Sequence, residues 1–198
     1  MRLLLFSGFL GSGKTTLVIK LARFAVERGK KVAILVNEIG EVGIDNQLMR
    51  QLDMNVWELL NGCICCTLSA DLVSTLQQLD ADYSPDLVII EPSGAADPKS
   101  ILSALPYYKG TPLESMYTIS VLDPLRLEML LEVMTPLIVS QIRHADLILI
   151  SKCDLAKPEE IEYAHQIAGE YNPNAQVMNF GKDSSLDALV KEIVPWTN

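Results

Sequence analysis

The chain has 198 residues, 49% of them apolar and 21% charged, with a net charge of −9 and an isoelectric point near 4.7. This suits one globular domain with its own core. The acidic balance argues against nucleic acid, whose backbone wants a basic face, and no apolar run reaches the length of a membrane span, so neither partner is expected.

Arg2–Ser7 is an apolar run closed by glycine and reads as a buried strand rather than an export signal, because its apolar core is too short and leads straight into a glycine loop. A cytoplasmic, reducing environment is therefore expected. Lys14–Glu27 carries apolar residues at helical spacing and is stopped by Gly29. Lys31–Val36 is a second strand, Asn37–Asp45 a loop rich in Gly and Glu, and Asn55–Leu59 a short strand. Leu68–Leu79 is helical and Asp86–Ile90 a strongly apolar strand. Tyr107–Pro112 is a surface loop. Tyr117–Leu122, Asp146–Ile150 and Gln176–Phe180 are strands, and Pro124–Glu132, Thr135–His144, Glu159–Glu170 and Ser184–Val194 are helices. Apolar strands alternating with helices predict an α/β fold of three layers, a mostly parallel sheet with helices on both faces. A single domain over residues 1–198 is expected, with no repeat or linker.

Gly8–Thr15, GFLGSGKT, fits G-x-x-x-x-G-K-[ST] between a strand and a helix, the context this motif requires. Gly8 and Gly13 let the backbone curl so that its N–H groups converge on phosphate oxygens. Lys14 reaches the outer phosphates, the Thr15 hydroxyl reaches Mg²⁺, and the helix start adds its positive dipole end. Glu91 ends a buried strand, where an acidic group faces the ligand crevice of an open sheet. It can hold Mg²⁺, directly or through water, or position the attacking water. Ile150–Asp154, ISKCD, is close to N-K-x-D: Asp154 can accept from guanine N1–H and the exocyclic amine, and Lys152 can lay its stem along the base. Ser151 stands where Asn is expected, which points to a looser base loop.

Gly62–Thr67, GCICCT, holds three of the four cysteines. Such close thiols are poorly placed for a disulfide, and a zinc ribbon needs a second Cys pair. In a reducing compartment, clustered thiols point to metal binding or redox chemistry. The helix from Leu68 favours thiolates, which suit Zn²⁺, Co²⁺ or Cu(I) over Mg²⁺. Three thiols leave a fourth position for water, a carboxylate such as Glu41, or a client's ligand. Cys153, Trp57, Trp196, His144 and His165 read as structural or solvated.

GFLGSGKTTL, NEIGEVGID, NGCICCT, EPSGAADP, SQIRHADLILISKCDL and NPNAQV together resemble the CobW-type GTPases of the group that includes HypB and UreG, in order and over essentially the whole chain. The resemblance implies a P-loop NTPase fold, GTP hydrolysis with Mg²⁺, Zn²⁺ or Co²⁺ at a C-x-C-C site, and service to a client metalloprotein as a metallochaperone or maturation factor. Gly11, Ser12, Gly13, Lys14, Thr15 and Thr16 would cradle phosphates, and Lys152 and Asp154 would read guanine. Glu38, Glu41 and Asp45 would lie in the switch loop near Mg²⁺ or the metal. Lys14, Glu91 and Asp45 would form the catalytic set, Thr15 and Glu91 would hold Mg²⁺, and Cys63, Cys65, Cys66 and Glu41 would hold zinc or cobalt. A homodimer would follow the family's habit. Two other readings stay open from the residues: a nucleotide-binding metal or thiol-redox sensor, and a GTPase that activates a corrinoid or other metalloenzyme without carrying metal.

Overall fold

The computed structural model describes residues 1–36, 55–58 and 68–193. Among the described residues, seven strands form one sheet: β1 (Arg2–Ser7), β2 (Val32–Val36), β3 (Asn55–Glu58), β4 (Leu87–Glu91), β5 (Ser115–Leu122), β6 (Leu147–Ile150) and β7 (Gln176–Asn179). All described pairings are parallel, in the order β3-β2-β4-β1-β5-β6-β7. The described helices are α1 (Lys14–Val26), α2 (Leu68–Tyr83), α3 (Pro98–Ala104), α4 (Leu127–Arg143), α5 (Pro158–Tyr171) and α6 (Leu186–Ile193), with one 3₁₀ turn at Leu105–Tyr107.

Strands β1, β2, β4 and β6 are apolar on both faces because helices cover both. Leu4, Phe6, Ile34, Ile89, Val121 and Leu149 face α1 and α6, packing on Leu17, Val18, Leu21 and Leu189. The alternate residues Leu3, Leu5, Leu35, Val88 and Ile90 pack on Leu72, Leu76 and Leu79 of α2 and Ile101 of α3. Ile148 and Ile150 pack on α4 and α5 through Leu127, Ile142, Ala164 and Ile167. Each Leu or Ile buried this way contributes about 1.5–3 kcal/mol.

The helices expected at Pro124–Glu132 and Thr135–His144 are both present within α4, and they meet at a kink where Met134 is non-helical (φ −134°, ψ 27°), two residues before Pro136. Proline lacks an N–H and crowds the preceding turn, so the halves kink there. Helix α3 was not expected. It is only seven residues long, but Asp97 caps it by accepting from the Lys99 N–H at 2.9 Å, and Pro98 opens it.

Sheet topology places the site. β1 lies between β4 and β5, and the chain crosses to opposite sides of it, so the crevice at the strand ends opens beyond Ser7. Glu91 flanks that crevice from β4 and Asp123, just past β5, flanks it from the other side.

Candidate functional site

The loop from Gly8 to Lys14 is built on left-handed glycines. Gly11 has φ +75°, and Gly13, the N-cap of α1, has φ +98° and ψ 10°. Most side chains resist that region, so glycine is what lets successive N–H groups turn inward. Beyond Gly13 lies open space. Ser12 is buried, and its hydroxyl has no partner among the described residues.

Lys14 is 5% exposed, and its Nζ donates to the Phe9 carbonyl at 3.2 Å. Burial lowers its pKa; nearby Glu91 opposes that shift and Arg126 adds to it. Thr15 Oγ1 donates to Glu91 Oε1 at 2.5 Å. Glu91 is also buried, and burial raises its pKa against the opposing pull of the Thr15 hydrogen bond and the Lys14 charge. Its second oxygen, Oε2, is buried with no partner among the described residues. A hydroxyl and a carboxylate oxygen together, beside an unsatisfied carboxylate oxygen, form a donor set that fits a hard cation such as Mg²⁺.

The loop's outward carbonyls are satisfied by Lys152 and, through two residues absent from the sequence reading of the site, by Arg126 anchored on Asp123. Asp123, its side chain 1% exposed, accepts from Arg126 Nε at 3.0 Å and from Lys152 Nζ at 2.7 Å. Arg126 Nη2 donates onward to the Leu10 carbonyl at 2.6 Å, and Lys152 Nζ to the Gly11 carbonyl at 2.8 Å. One buried carboxylate thus anchors two cations that hold adjacent carbonyls of the loop tip. The signal was present: Asp123 is an acidic residue just past a buried strand, as Glu91 is at the end of one.

The base loop is tied to the same place. Lys152 sits at φ +54°, and the Ser151 hydroxyl lies 2.8 Å from the Ser12 carbonyl and 3.0 Å from that of Leu122. Asp154 lies apart from this cluster and accepts the Lys182 N–H at 3.0 Å, with Gly181 packed on it. Cys153 donates to the Ile150 carbonyl and packs against the α4–α5 core. The structure therefore brings Gly11, Ser12, Gly13, Lys14, Thr15, Glu91 and Lys152 together, with Thr16 one residue further along α1. Glu38, Glu41, Asp45, Cys63, Cys65 and Cys66 lie outside the described residues. Among the described residues, no three His, Cys, Asp or Glu side chains form a metal-binding group, and no helix is long and apolar enough to cross a membrane.

A parallel sheet with a glycine loop at its switch point, a Lys–Thr pair opening the helix and an acidic strand end beside the threonine define a P-loop nucleotide-binding domain. Residues 2–179 match the family model described as CobW/HypB/UreG, nucleotide-binding domain, and the chain belongs to that family. It is 36% identical over 157 residues to the zinc chaperone YeiR of Escherichia coli K12, covering 78% of this chain and 47% of YeiR. It is 34% identical over 182 residues to the zinc chaperone YjiA of the same organism, covering 87% of this chain and 55% of YjiA. The chain thus spans about half the length of the curated relatives it matches. A crystal structure of Zn(II)-bound YjiA GTPase from E. coli superposes with a TM-score of 0.67 at 27% identity, covering 90% of this chain and 57% of that one. The hydrogenase maturation factor HypB of Archaeoglobus fulgidus shares the fold, with a TM-score of 0.69 at 17% identity over 97% of this chain and 88% of its own.

Proposed function

We propose that this domain binds and hydrolyses GTP, and that its nucleotide state governs the carriage of zinc or cobalt to a client metalloprotein. The observation that carries the nucleotide part is the Thr15–Glu91 contact at 2.5 Å, with Glu91 Oε2 left without a partner. Phosphates settle against the N–H groups of Gly11, Ser12 and Gly13, and Lys14 exchanges the Phe9 carbonyl for a phosphate oxygen. Thr15 and Glu91 hold Mg²⁺, which neutralises phosphate charge when bound. Lys152 and Asp154 read guanine. Turnover without a partner is slow, well below about one per second, as in other switch GTPases.

The metal part is supported by the names of the relatives, zinc chaperones among them, and by the residue types of the C-x-C-C stretch. Cys63, Cys65 and Cys66 supply soft thiolates, and the fourth position falls to Glu41, water or a client's ligand. An incomplete ligand set suits a carrier, because transfer proceeds by ligand exchange. GTP orders the Asn37–Asp45 loop, bringing Glu38, Glu41 and Asp45 toward the nucleotide, and hydrolysis releases it.

The test is zinc and cobalt affinity of the reduced protein by chelator competition, with GDP and then with a non-hydrolysable GTP analogue. A tenfold difference equals about 1.4 kcal/mol of coupling and must return as an equal change in nucleotide affinity. Zinc binding that survives Cys63→Ser, Cys65→Ser and Cys66→Ser together sinks the carrier reading.

A further inference from the structure

Helix α4 takes hold of the segment that leaves β4. Gln141, 1% exposed, donates its Nε2 to the Gly94 carbonyl at 3.2 Å. Its amide oxygen is buried with no partner among the described residues. The neighbouring Ser140 donates to Asp97 Oδ1 at 2.6 Å, so two adjacent side chains of one helix hold both ends of the stretch Gly94–Asp97. On its other side this stretch meets the P-loop: a Cβ on Gly94 would come within 2.5 Å of the Leu10 N and 3.0 Å of the Phe9 carbonyl carbon. Gly94 is therefore wedged between the phosphate loop and α4, three residues beyond Glu91.

A fully buried glutamine with half its amide unsatisfied is an unusual way to fill a helix–loop contact. An apolar side chain of the same length would fill the space with no orphaned oxygen. What glutamine adds is a directed hold on one carbonyl. We propose that Gln141 is a positioning residue for nucleotide-state recognition. By holding the Gly94 carbonyl it keeps the Gly94 peptide against the P-loop; in this proposal the terminal phosphate of GTP meets that peptide and GDP does not reach it. This inference rests on the GTPase reading above and adds to it the residue that makes the site distinguish a triphosphate from a diphosphate.

The test uses Gln141→Met, which keeps the length and apolar stem and removes the donor. Dissociation constants for GDP and for a non-hydrolysable GTP analogue are measured with Mg²⁺, beside single-turnover hydrolysis. The expected result is GDP binding within about twofold of the unsubstituted protein and analogue binding about tenfold weaker, the size of one buried hydrogen bond. Hydrolysis slows with the analogue affinity. Ser140→Ala, at a half-buried position, loosens the other end of the same stretch and shifts the ratio in the same direction. It decides the matter if Gln141→Met fails to fold. An unchanged ratio, an equal loss for both nucleotides, or tighter analogue binding each overturns the proposal while leaving the GTPase reading intact. An unsubstituted protein that binds neither nucleotide overturns both.

Discussion

Thr15 and Glu91 are 76 positions apart in the chain, and their side-chain oxygens lie 2.5 Å apart in the fold. The contact exists because β1 and β4 are sheet neighbours in register, Leu5 beside Ile90, so the start of α1 and the end of β4 meet at one point of the crevice. The fold itself holds both groups at that point, which limits the reorganisation needed to bind a metal–nucleotide pair.

Replacing Glu91 by Gln keeps the size and the hydrogen bond from Thr15 but removes the charge. Single-turnover GTP hydrolysis is expected to fall about 100-fold and to need more Mg²⁺ for half-saturation. A Mg²⁺ titration of the rate checks both, and a rate within threefold of the unsubstituted protein removes Glu91 from the catalytic set.

Gly94→Ala drives a methyl group against the Leu10 backbone, which has no flexible side-chain end to give way. The expected cost is about 2 kcal/mol of unfolding free energy, read from urea denaturation, together with weakened nucleotide binding. Full stability with normal binding would show that the two loops separate without penalty.

Asp154 reads guanine in the proposed function. Asp154→Ala is expected to reduce the preference for GTP over ATP about 30-fold, the size of a hydrogen-bonded charge. Competition between the two nucleotides for one fluorescent analogue measures it. The companion Ser151→Ala leaves the Ser12 and Leu122 carbonyls without that hydroxyl and should cost about 1 kcal/mol of stability.

Asp80 anchors the loop after the 3₁₀ turn by accepting the Thr111 N–H at 2.6 Å. Slight burial pushes its pKa up, but the Thr111 bond and the neighbouring Tyr108 hydroxyl outweigh it, and the carboxyl titrates below its ordinary value of 3.8. The folded state therefore binds fewer protons than the unfolded chain just below that value. This contribution to stability is present above pH 3.8 and is lost as pH falls through the folded-state pKa. Denaturation midpoints measured from pH 5 downward should fall less steeply in Asp80→Asn; identical slopes would assign the acid sensitivity elsewhere.

The β strands were legible because their apolar runs are buried on both faces: β1 has its expected bounds, and β2, β4 and β6 each start one residue later than read. The phosphate loop was legible because glycine, lysine and threonine at that spacing answer to one ligand. The family resemblance drawn from these motifs agrees with the family match over residues 2–179. Helix α3 carries a cap signal at Asp97–Pro98, but its seven residues are too few to show a helical periodicity. The kink in α4 was legible as the gap between two helical patterns, which falls at Met134 ahead of Pro136.

The sequence alone carries local information: which runs alternate between strand and helix, and which residues the motifs assign to a phosphate. Convergence came from the fold. Asp123 gathers Arg126 and Lys152 onto the carbonyls of Leu10 and Gly11, and Gln141 reaches the Gly94 carbonyl, through contacts between segments distant along the chain. Apart from the local Asp123–Arg126 pair, such partnerships carry no spacing rule. They arise because a loop whose N–H groups turn inward must turn its carbonyls outward, and strand order determines which side chains stand there to receive them.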